Sequence, residues 1–382
     1  MSVSAYVHFP WCLQKCPYCD FASATIRRSE VPHSAYADAI VRELEWRAPG
    51  VAGQKLESVF FGGGTPSLWD PRELGRVLRA IRACFANGAA SNDDGAIEIT
   101  VECNPSSLDQ AKAAALREAG VNRLSIGVQS LHNERLKFLG RLHDDAGALA
   151  AVRAATQEMP RVSADLMFGN PGQTAEDFWS ELSRVLELGL SHVSVYALTI
   201  EPQTQFGELH RKGKLTLAKE DDYARTFVDV HERLGALGFS HYEVSNYAKP
   251  GESSRHNQHY WRGGDYLGLG CAAVGCVGAR RYRNDPQPAK YLERSATREV
   301  EAFEETLDAQ ALVREALMLG LRTHEGVQLK ELAARTKVDP LAGRERELTR
   351  AQALGNVVIE NDVLRVPHAR WLHLDSIVAD LF

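Results

Sequence analysis

Six short apolar segments alternate with helical segments through the first two hundred residues, and this alternation restricts the fold more than any other feature. Strands that are separated by helical crossovers pair in parallel, so the pattern predicts six parallel strands. An open doubly wound sheet and a partial barrel both satisfy this periodicity. The predicted strands are 5–9, 57–61, 97–102, 123–128, 162–168 and 192–198, and the predicted helices are 34–47, 71–85, 107–120, 145–156 and 175–189.

Unusual residues follow every one of these predicted strands. A barrel gathers the carboxyl ends of its strands around one mouth, where barrel enzymes place their chemistry. This placement favours the barrel, and six units instead of eight predict an incomplete (βα)6 TIM-like barrel with an open side. The stretches are the cysteines of WCLQKCPYCDF (11–21), GGGTPS (62–67), ECNP (102–105), Gln129 with Ser130, GNPGQT (169–174) and 199–202.

The pattern changes in the last quarter of the chain. Helical segments at 307–322 and 327–337 precede NVVIENDVLRV (356–366), a predicted hairpin that turns at Asn361-Asp362. These elements predict a small winged-helix-like α+β domain. A chain of 382 residues is long enough for two domains, and we divide it into 1–290 and 291–382.

Charge and composition exclude several classes of partner. The net charge of −6 provides no general basic field for nucleic acid. From residue 305 onward, 10 Lys and Arg stand against 12 Asp and Glu, so KELAART (330–336) is not expected to be a DNA-reading helix. No apolar stretch approaches the roughly 18 residues of a membrane span, and MSVSAYVHFPWC lacks the pattern of a signal peptide. We therefore expect a cytoplasmic protein that is not integral to a membrane.

Cys12, Cys16 and Cys19 form the strongest chemical signal in the chain. A structural zinc site normally has four protein ligands, and the other four cysteines are scattered. A [4Fe–4S] cluster needs one ligand per iron, so three thiolates leave one iron free to bind another molecule. The spacing therefore favours an iron–sulfur cluster over zinc.

CLQKCPYC (12–19) resembles the C-x3-C-x2-C motif of radical S-adenosylmethionine (radical SAM) enzymes, in which an aromatic residue such as Tyr18 precedes the last cysteine. GGGTPS matches the glycine-rich element of that superfamily. The resemblance implies that the free iron chelates S-adenosylmethionine and that an electron donor reduces the cluster. The sulfonium is then cleaved to methionine and a 5′-deoxyadenosyl radical.

A closer resemblance, to the coproporphyrinogen III dehydrogenase family and its HemW relatives, extends over nearly the whole chain. It rests on YVHFPWC (6–12), FFGGGTPS (60–67), GVQS (127–130), LGRLH (139–143), DLMFGNPGQT (165–174), VYALT (195–199) and HYEVSNYA (241–248). The resemblance implies that Tyr6, Gly63 and Glu102 contact the cluster-bound S-adenosylmethionine and that Val274 packs on its adenine. Gly64, Thr65, Gln129, Arg141, Asp165 and Ala197 match positions that bind a second S-adenosylmethionine in the dehydrogenase branch.

Two features divide this family. The dehydrogenase branch has a fourth cysteine two residues after the third, where this chain has Phe21, and a long extension before the first cysteine. RHNQHYW (255–261) instead resembles the H-N-x-x-Y-W pattern of HemW-type haem chaperones, which implies haem contact by His256, ahead of His259. The resemblance thus implies a chaperone that binds haem and delivers it to apoproteins. The alternative is an oxygen-independent coproporphyrinogen III oxidase.

Overall fold

A twelve-stranded sheet forms the main body of the protein. The structure is a computed structural model that describes residues 2–85 and 97–382. A three-stranded sheet and a two-stranded sheet accompany it. In chain order the strands are β1 (Ser2–Phe9), β2 (Trp11–Cys12), β3 (Ala24–Thr25), β4 (Lys55–Gly63), β5 (Glu98–Cys103), β6 (Arg123–Gln129), β7 (Arg161–Phe168), β8 (His192–Ala197), β9 (Ser240–Glu243), β10 (Asn246–Ala248), β11 (Asp265–Leu269), β12 (Val274–Val277), β13 (Arg280–Asn284), β14 (Glu301–Thr306), β15 (Val327–Gln328), β16 (Val358–Glu360) and β17 (Val363–Arg365).

Helices connect the strands and cover the outer face of the large sheet. The helix Ala175–Leu186 shows why they form where they do: Thr174 and Asp177 make a capping box, and Phe178, Leu182 and Val185 share its buried face. The helices are α1 (His33–Arg47), α2 (Pro71–Phe85), α3 (Gln110–Glu118), α4 (Asn133–Phe138), α5 (Asp145–Glu158), α6 (Ala175–Leu186), α7 (Gln205–Arg211), α8 (Glu220–Ala236), α9 (Arg255–Trp261), α10 (Pro288–Arg294), α11 (Ala309–Gly320), α12 (Leu329–Thr336), α13 (Glu345–Ala353) and α14 (Leu374–Ala379).

Six strands at the centre of the large sheet are parallel and follow chain order, β1-β4-β5-β6-β7-β8. On one side β11 pairs with β1 in parallel and continues into β12, β13 and β14. On the other side β10 pairs with β8 in antiparallel orientation and is followed by β9. Over the described residues the outermost strands, β14 and β9, do not pair with each other. The prediction of an incomplete barrel is confirmed.

The main core lies between the parallel strands and their helices. Phe9 and Phe61, from neighbouring strands, are fully buried there together with Trp69, and Phe9 and Trp69 pack with ring centroids 5.4 Å apart. Burial of these large rings provides much of the free energy that holds the glycine-rich segment beside the cysteine segment.

The C-terminal segment has a hydrophobic core of its own, which begins at Val313 and includes Trp371. Its sheet has the order β15-β17-β16 and packs with helices α11 and α12, which confirms the winged-helix-like prediction. Asn361 and Asp362 have φ values of 51° and 64°, as a two-residue hairpin turn requires. The division after residue 290 stays a prediction; because β14 pairs with β13 in the large sheet, the structure favours a division near residue 307.

Of the helices within residues 2–85 and 97–382, none is both long and apolar enough to span a bilayer.

Candidate functional site

A cavity of about 290 Å³ lies at the carboxyl ends of the parallel strands. All three clustered cysteines line it, as do residues from the ends of β4, β5, β6, β7 and β8. The predicted convergence of these strand ends on one mouth is therefore observed. Of the residues that the sequence singles out, the lining includes Cys12, Cys16, Tyr18, Cys19, Phe21, Gly63, Gly64, Thr65, Glu102, Gln129, Arg141 and Asp165.

Short local contacts hold the cysteine segment over the barrel mouth. β2 and β3 pair as a small parallel sheet on either side of the loop, and the Cys19 N–H donates to the Cys16 carbonyl at 3.1 Å. The Thr65 hydroxyl donates to Cys12 Sγ at 3.3 Å, and Arg141 Nη1 donates to Cys16 Sγ at 3.4 Å. Hydrogen-bond donors near sulfur favour thiolate, the form that binds a metal.

Burial makes these thiols reluctant to ionise without a metal. Burial raises the pKa of Cys19 to about 11, and it raises the pKa of Cys12 as well. Neighbouring thiolate charges add to the effect at both sites. An iron–sulfur cluster would reverse this effect, because its positive irons stabilise three thiolates in a position where protons alone cannot. The donor set thus fits a cluster.

The glycine-rich segment lies against the cysteine segment because its residues lack side chains. Gly63 has φ 107°, and a Cβ there would stand 2.5 Å from a ring carbon of His8. A Cβ on Gly64 would stand 2.7 Å from the Trp11 carbonyl oxygen, and the Gly64 N–H donates to the Phe9 carbonyl at 2.7 Å. This backbone therefore needs glycine both for its conformation and for its close approach.

Two half-buried carboxyl groups, Glu102 and Asp165, stand at the inner wall of the cavity. Burial raises the pKa of Glu102 from 4.5 to about 8, with a further contribution from Asp165, while the Gly63 N–H, 3.1 Å away, opposes the rise. Burial also raises the pKa of Asp165 to about 6, although hydrogen bonds from Ser194 and Ser125 oppose it. A cationic ligand such as an amine would be attracted to this pair when both are ionised.

Three buried polar atoms of residues that line the cavity have no hydrogen-bond partner among the described residues: Ser23 Oγ, Gln129 Oε1 and Arg141 Nε. Gln129 also has φ 66°, at a bulge where the pairing of β6 with β7 shifts register. Unsatisfied buried polar atoms are costly unless a ligand or water completes them. They fit a polar molecule the size of S-adenosylmethionine better than an apolar one.

Three predicted contacts lie away from this cavity. Tyr6 points into the barrel interior, where its hydroxyl bonds His8 Nδ1 at 3.0 Å. Ala197 ends β8 and packs into the core, and Val274 begins β12; neither lines the cavity. His8 connects Tyr6 to the cysteine segment, because its Nε2 donates to the Ala22 carbonyl at 2.8 Å.

A second cavity of about 300 Å³ occupies the barrel interior below the first. The two share Glu102, Ser125, Asp165 and Tyr196 as lining residues. Helix α9 also lines this cavity, with His256 among its residues.

His256 is only 9% exposed. Its Nδ1 lies 2.8 Å from Ser58 Oγ, and its ring stacks on Phe60 with ring centroids 4.9 Å apart. Its backbone N–H donates to Glu98 at 3.0 Å. Because the Ser58 hydroxyl donates onward to Ser4, His256 is assigned as the donor at Nδ1, which leaves Nε2 without a proton. The imidazole is chemically able to bind a metal, but it lies in the protein interior.

Sequence patterns did not point to every residue of the site. Ser125 lines the main cavity, and only its alternation along β6 could have indicated that it faces inward. Cys103 of ECNP and Tyr196 of VYALT also line it, although those motifs assign neither residue a role. Cys103 is buried and its thiol donates to the Val101 carbonyl.

Comparison with known proteins places this arrangement in a family. The model of the Radical SAM superfamily matches residues 6–185, and that of the HemN C-terminal domain matches residues 307–372. Heme chaperone HemW of Escherichia coli strain K12 is 40% identical over 72% of this chain and 70% of its own length. Heme chaperone HemW of Lactococcus lactis is 35% identical over 87% of this chain and 85% of its own length.

A solved structure supports the same fold. Coproporphyrinogen III oxidase (HemN) from Escherichia coli, a radical SAM enzyme, superposes with a TM-score of 0.81. The alignment covers 100% of this chain and 90% of that one, at 22% identity, so it shows a common fold and no more. Taken with the identity to the curated relatives, these matches show that the chain belongs to the HemW family of radical SAM proteins.

Proposed function

We propose that this protein binds a [4Fe–4S] cluster with S-adenosylmethionine and acts as a haem chaperone that delivers haem to apoproteins. The observation that carries the choice within the family is Phe21, which is 59% exposed at the rim of the cysteine cavity. In the oxidase branch a cysteine occupies this place. The two relatives from Escherichia coli and Lactococcus lactis are themselves named heme chaperone HemW.

Cys12, Cys16 and Cys19 would hold three irons of the cluster. When bound, the reduced cluster supplies an electron to the sulfonium of S-adenosylmethionine. Gly63 offers close backbone approach, and ionised Glu102 accepts hydrogen bonds from an amine or a ribose hydroxyl. Tyr18 and Arg141 close the cavity wall beside the sulfurs and exclude water.

The cavity volume supports one molecule of S-adenosylmethionine. About 290 Å³ lies just below the roughly 300–1,000 Å³ typical of a single small-molecule site, so the cavity has no room for a second such molecule. Gly64, Thr65, Gln129, Arg141 and Asp165, which match second-molecule positions in the oxidase branch, line this same volume. We therefore propose that these five residues contact the same S-adenosylmethionine molecule or the cluster. Ala197 and Val274 do not line the cavity, so we assign them no contact with this ligand.

Haem would bind on the solvent side of α9. A cavity of about 480 Å³ there is lined by Arg255, His259, Arg262 and Arg335. The His259 Nε2 donates to the Asp265 carbonyl at 2.8 Å, which leaves Nδ1 as a free acceptor and a possible iron ligand. Guanidinium groups suit the two propionate carboxylates of haem, although Arg262 would have to leave its ion pair with Glu325 and the cavity is also lined by Glu57 and Asp265. The accessibility of His259 favours it over His256 as the haem ligand. Haem contact by His256 stays a prediction, and it would require α9 to move.

Haem titration of the reconstituted protein, followed at the Soret band and by transfer to an apoprotein acceptor, tests the proposal. We expect His259→Ala to lose at least about 10-fold in haem affinity, while the control His132→Ala, an exposed histidine before α4, binds as wild type does. A loss confined to His256→Ala would assign the ligand to the interior. Absence of haem transfer, with conversion of coproporphyrinogen III in a parallel anaerobic assay, would establish the oxidase instead.

The remaining parts of the proposal follow from the chaperone function. Its partners would be haem-accepting apoproteins and an electron donor for the cluster, and its site of action would be the cytoplasm. The net charge of −6 gives no support for a nucleic-acid partner.

A further inference from the structure

Three histidines from distant parts of the chain meet where the barrel contacts the C-terminal segment. His231 lies on α8, His241 on β9, and His368 follows β17. One ring nitrogen of each lies within 4.8 Å of the others. We propose that these three imidazoles form a binding site for a divalent first-row transition-metal ion, with Zn²⁺ as the probe. The site is separate from the cysteine cavity, whose lining includes none of them.

The orientation of His241 is that of a metal ligand. Its Nε2 donates to the Val244 carbonyl at 3.0 Å, so Nδ1 carries the free lone pair. Metal-binding histidines usually fix their tautomer by such a hydrogen bond from the other nitrogen. His368 shows the same arrangement more loosely, with Nε2 3.4 Å from the His241 carbonyl oxygen.

The spacing of the first pair fits tetrahedral coordination. His241 Nδ1 and His231 Nδ1 are 3.3 Å apart. Two nitrogens that each lie about 2.0–2.1 Å from a tetrahedral zinc are about 3.3 Å from each other. The third nitrogen, at up to 4.8 Å, must move inward by roughly 1.5 Å on binding. Rotation of the His368 side chain can provide that movement.

Aromatic packing holds the three rings close together before any ion binds. His231 and His368 stack at 4.2 Å, His368 stacks on Trp371 at 4.0 Å, and His241 stacks on Tyr247 at 3.9 Å. Packing therefore brings the three imidazoles together before any metal binds, and neutral imidazole is the form that coordinates a metal.

A bound ion would connect the two hydrophobic cores. His231 and His241 belong to barrel elements, whereas His368 packs on Trp371 of the C-terminal core. Two backbone hydrogen bonds, from Val244 to Arg322 and from His324 to Tyr242, cross the same junction. The alternative is a stack of neutral rings joined by one weak N–H···N bond, which would bind no ion.

Zinc binding by the full-length protein with its cluster reconstituted distinguishes a metal site from a stack of rings that binds no ion. We expect one zinc per chain in excess of the iron and a melting temperature that rises with added Zn²⁺. His241→Gln and His368→Gln should each lower zinc affinity by about 100-fold or more, since each removes a ligand. His210→Gln, an exposed histidine at the end of α7, is the matched control and should bind as wild type does.

Co²⁺ provides a second measurement that needs no folded variant. In the wild type, we expect visible d–d bands typical of nitrogen ligation without a thiolate charge-transfer band. Three results would each overturn the proposal: no zinc bound beyond the iron of the cluster, equal zinc affinity in the histidine variants and the control, or a thiolate charge-transfer band in the Co²⁺ spectrum. None of these results bears on haem binding, which is measured separately.

Discussion

The two ends of the barrel are built by different means, although their cavities share four residues. At the carboxyl end, special backbone conformations at Gly63 and Gln129 bring main chain and cysteines around a polar space. At the amino end, side-chain interactions dominate: Glu98 bonds Arg123 at 3.1 Å and Arg161 at 2.6 Å, and its other oxygen accepts the His256 N–H. Barrels commonly separate chemistry from stability in this way.

This contrast leads to a general expectation about how substitutions at each end affect ligand binding and folding. Substitutions of side chains that line the carboxyl-end cavity should alter ligand binding more than folding, and those at the amino end should do the reverse; the strained glycines of the carboxyl end should affect both. A protein in which both kinds of change had the same effect would contradict it.

The largest expected effect is the loss of the cluster in Cys16→Ala. Three thiolates are the minimum for a [4Fe–4S] cluster with an open iron, so we expect iron to fall from about four per chain to well below one. The melting temperature of the cluster-free protein should barely change. Cys84→Ala, an exposed cysteine on α2, is the control and should retain its iron. Iron analysis after anaerobic reconstitution measures both, and full iron retention in Cys16→Ala would contradict the cavity assignment.

Glu98→Gln should have the next largest effect, this time on stability. Removal of one buried partner leaves Arg123 and Arg161 without their shared carboxylate, which costs about 3–5 kcal/mol. Glu252→Gln removes a partly exposed partner of Arg161 and should cost less than about 1 kcal/mol. Urea denaturation gives both values, while S-adenosylmethionine binding should be unchanged. Equal costs for the two variants would count against the structural importance of Glu98.

Gly63→Ala should affect both properties. An alanine at φ 107° is strained and its Cβ would meet His8, so we expect a cost of about 2 kcal/mol or more together with weaker S-adenosylmethionine binding. Gly53→Ala has φ 82° but open space around it, so it isolates the backbone strain alone, about 1 kcal/mol. If both variants unfolded at the same urea concentration, the close approach of residue 63 to His8 would contribute nothing to the loss of stability.

The smallest effect is a pH dependence caused by Glu102. Its pKa in the folded protein is raised from 4.5 to about 8 by burial, so between these values the folded state keeps a proton that the unfolded state has lost. The free energy of unfolding should therefore fall as pH rises from 4.5 to 8. Glu102→Gln keeps an acceptor for the Gly63 N–H and should flatten this decline in the ligand-free protein. Superimposable pH profiles of the variant and wild type would contradict the assignment.

Much of this structure could be predicted from local patterns, and the reasons for the exceptions are physical. The six parallel strands and the hairpin at Asn361-Asp362 are specified by alternation and turn residues near in sequence. Strands β9 to β14 are short, and they join the large sheet through β11 on β1 and β10 on β8, two pairings between distant segments that no local period shows.

The site shows the same division. The cysteine spacing and the position of the glycines identify one cavity. Whether Tyr6 faces the cavity or the barrel interior depends on three-dimensional packing, as does the burial of His256 on the inner face of α9. The three-histidine site joins residues 137 positions apart at the extremes, His231 and His368, so no sequence window contains it.

The most direct test of the central claim is equilibrium binding of radiolabelled S-adenosylmethionine to the anaerobically reconstituted protein. We predict about one molecule bound per [4Fe–4S] cluster, as the cavity volume indicates, and no binding to Cys16→Ala. Equal binding to the cluster-containing and cluster-free proteins, or none to either, would contradict the assignment of the carboxyl-end cavity as the site of the cluster and its ligand.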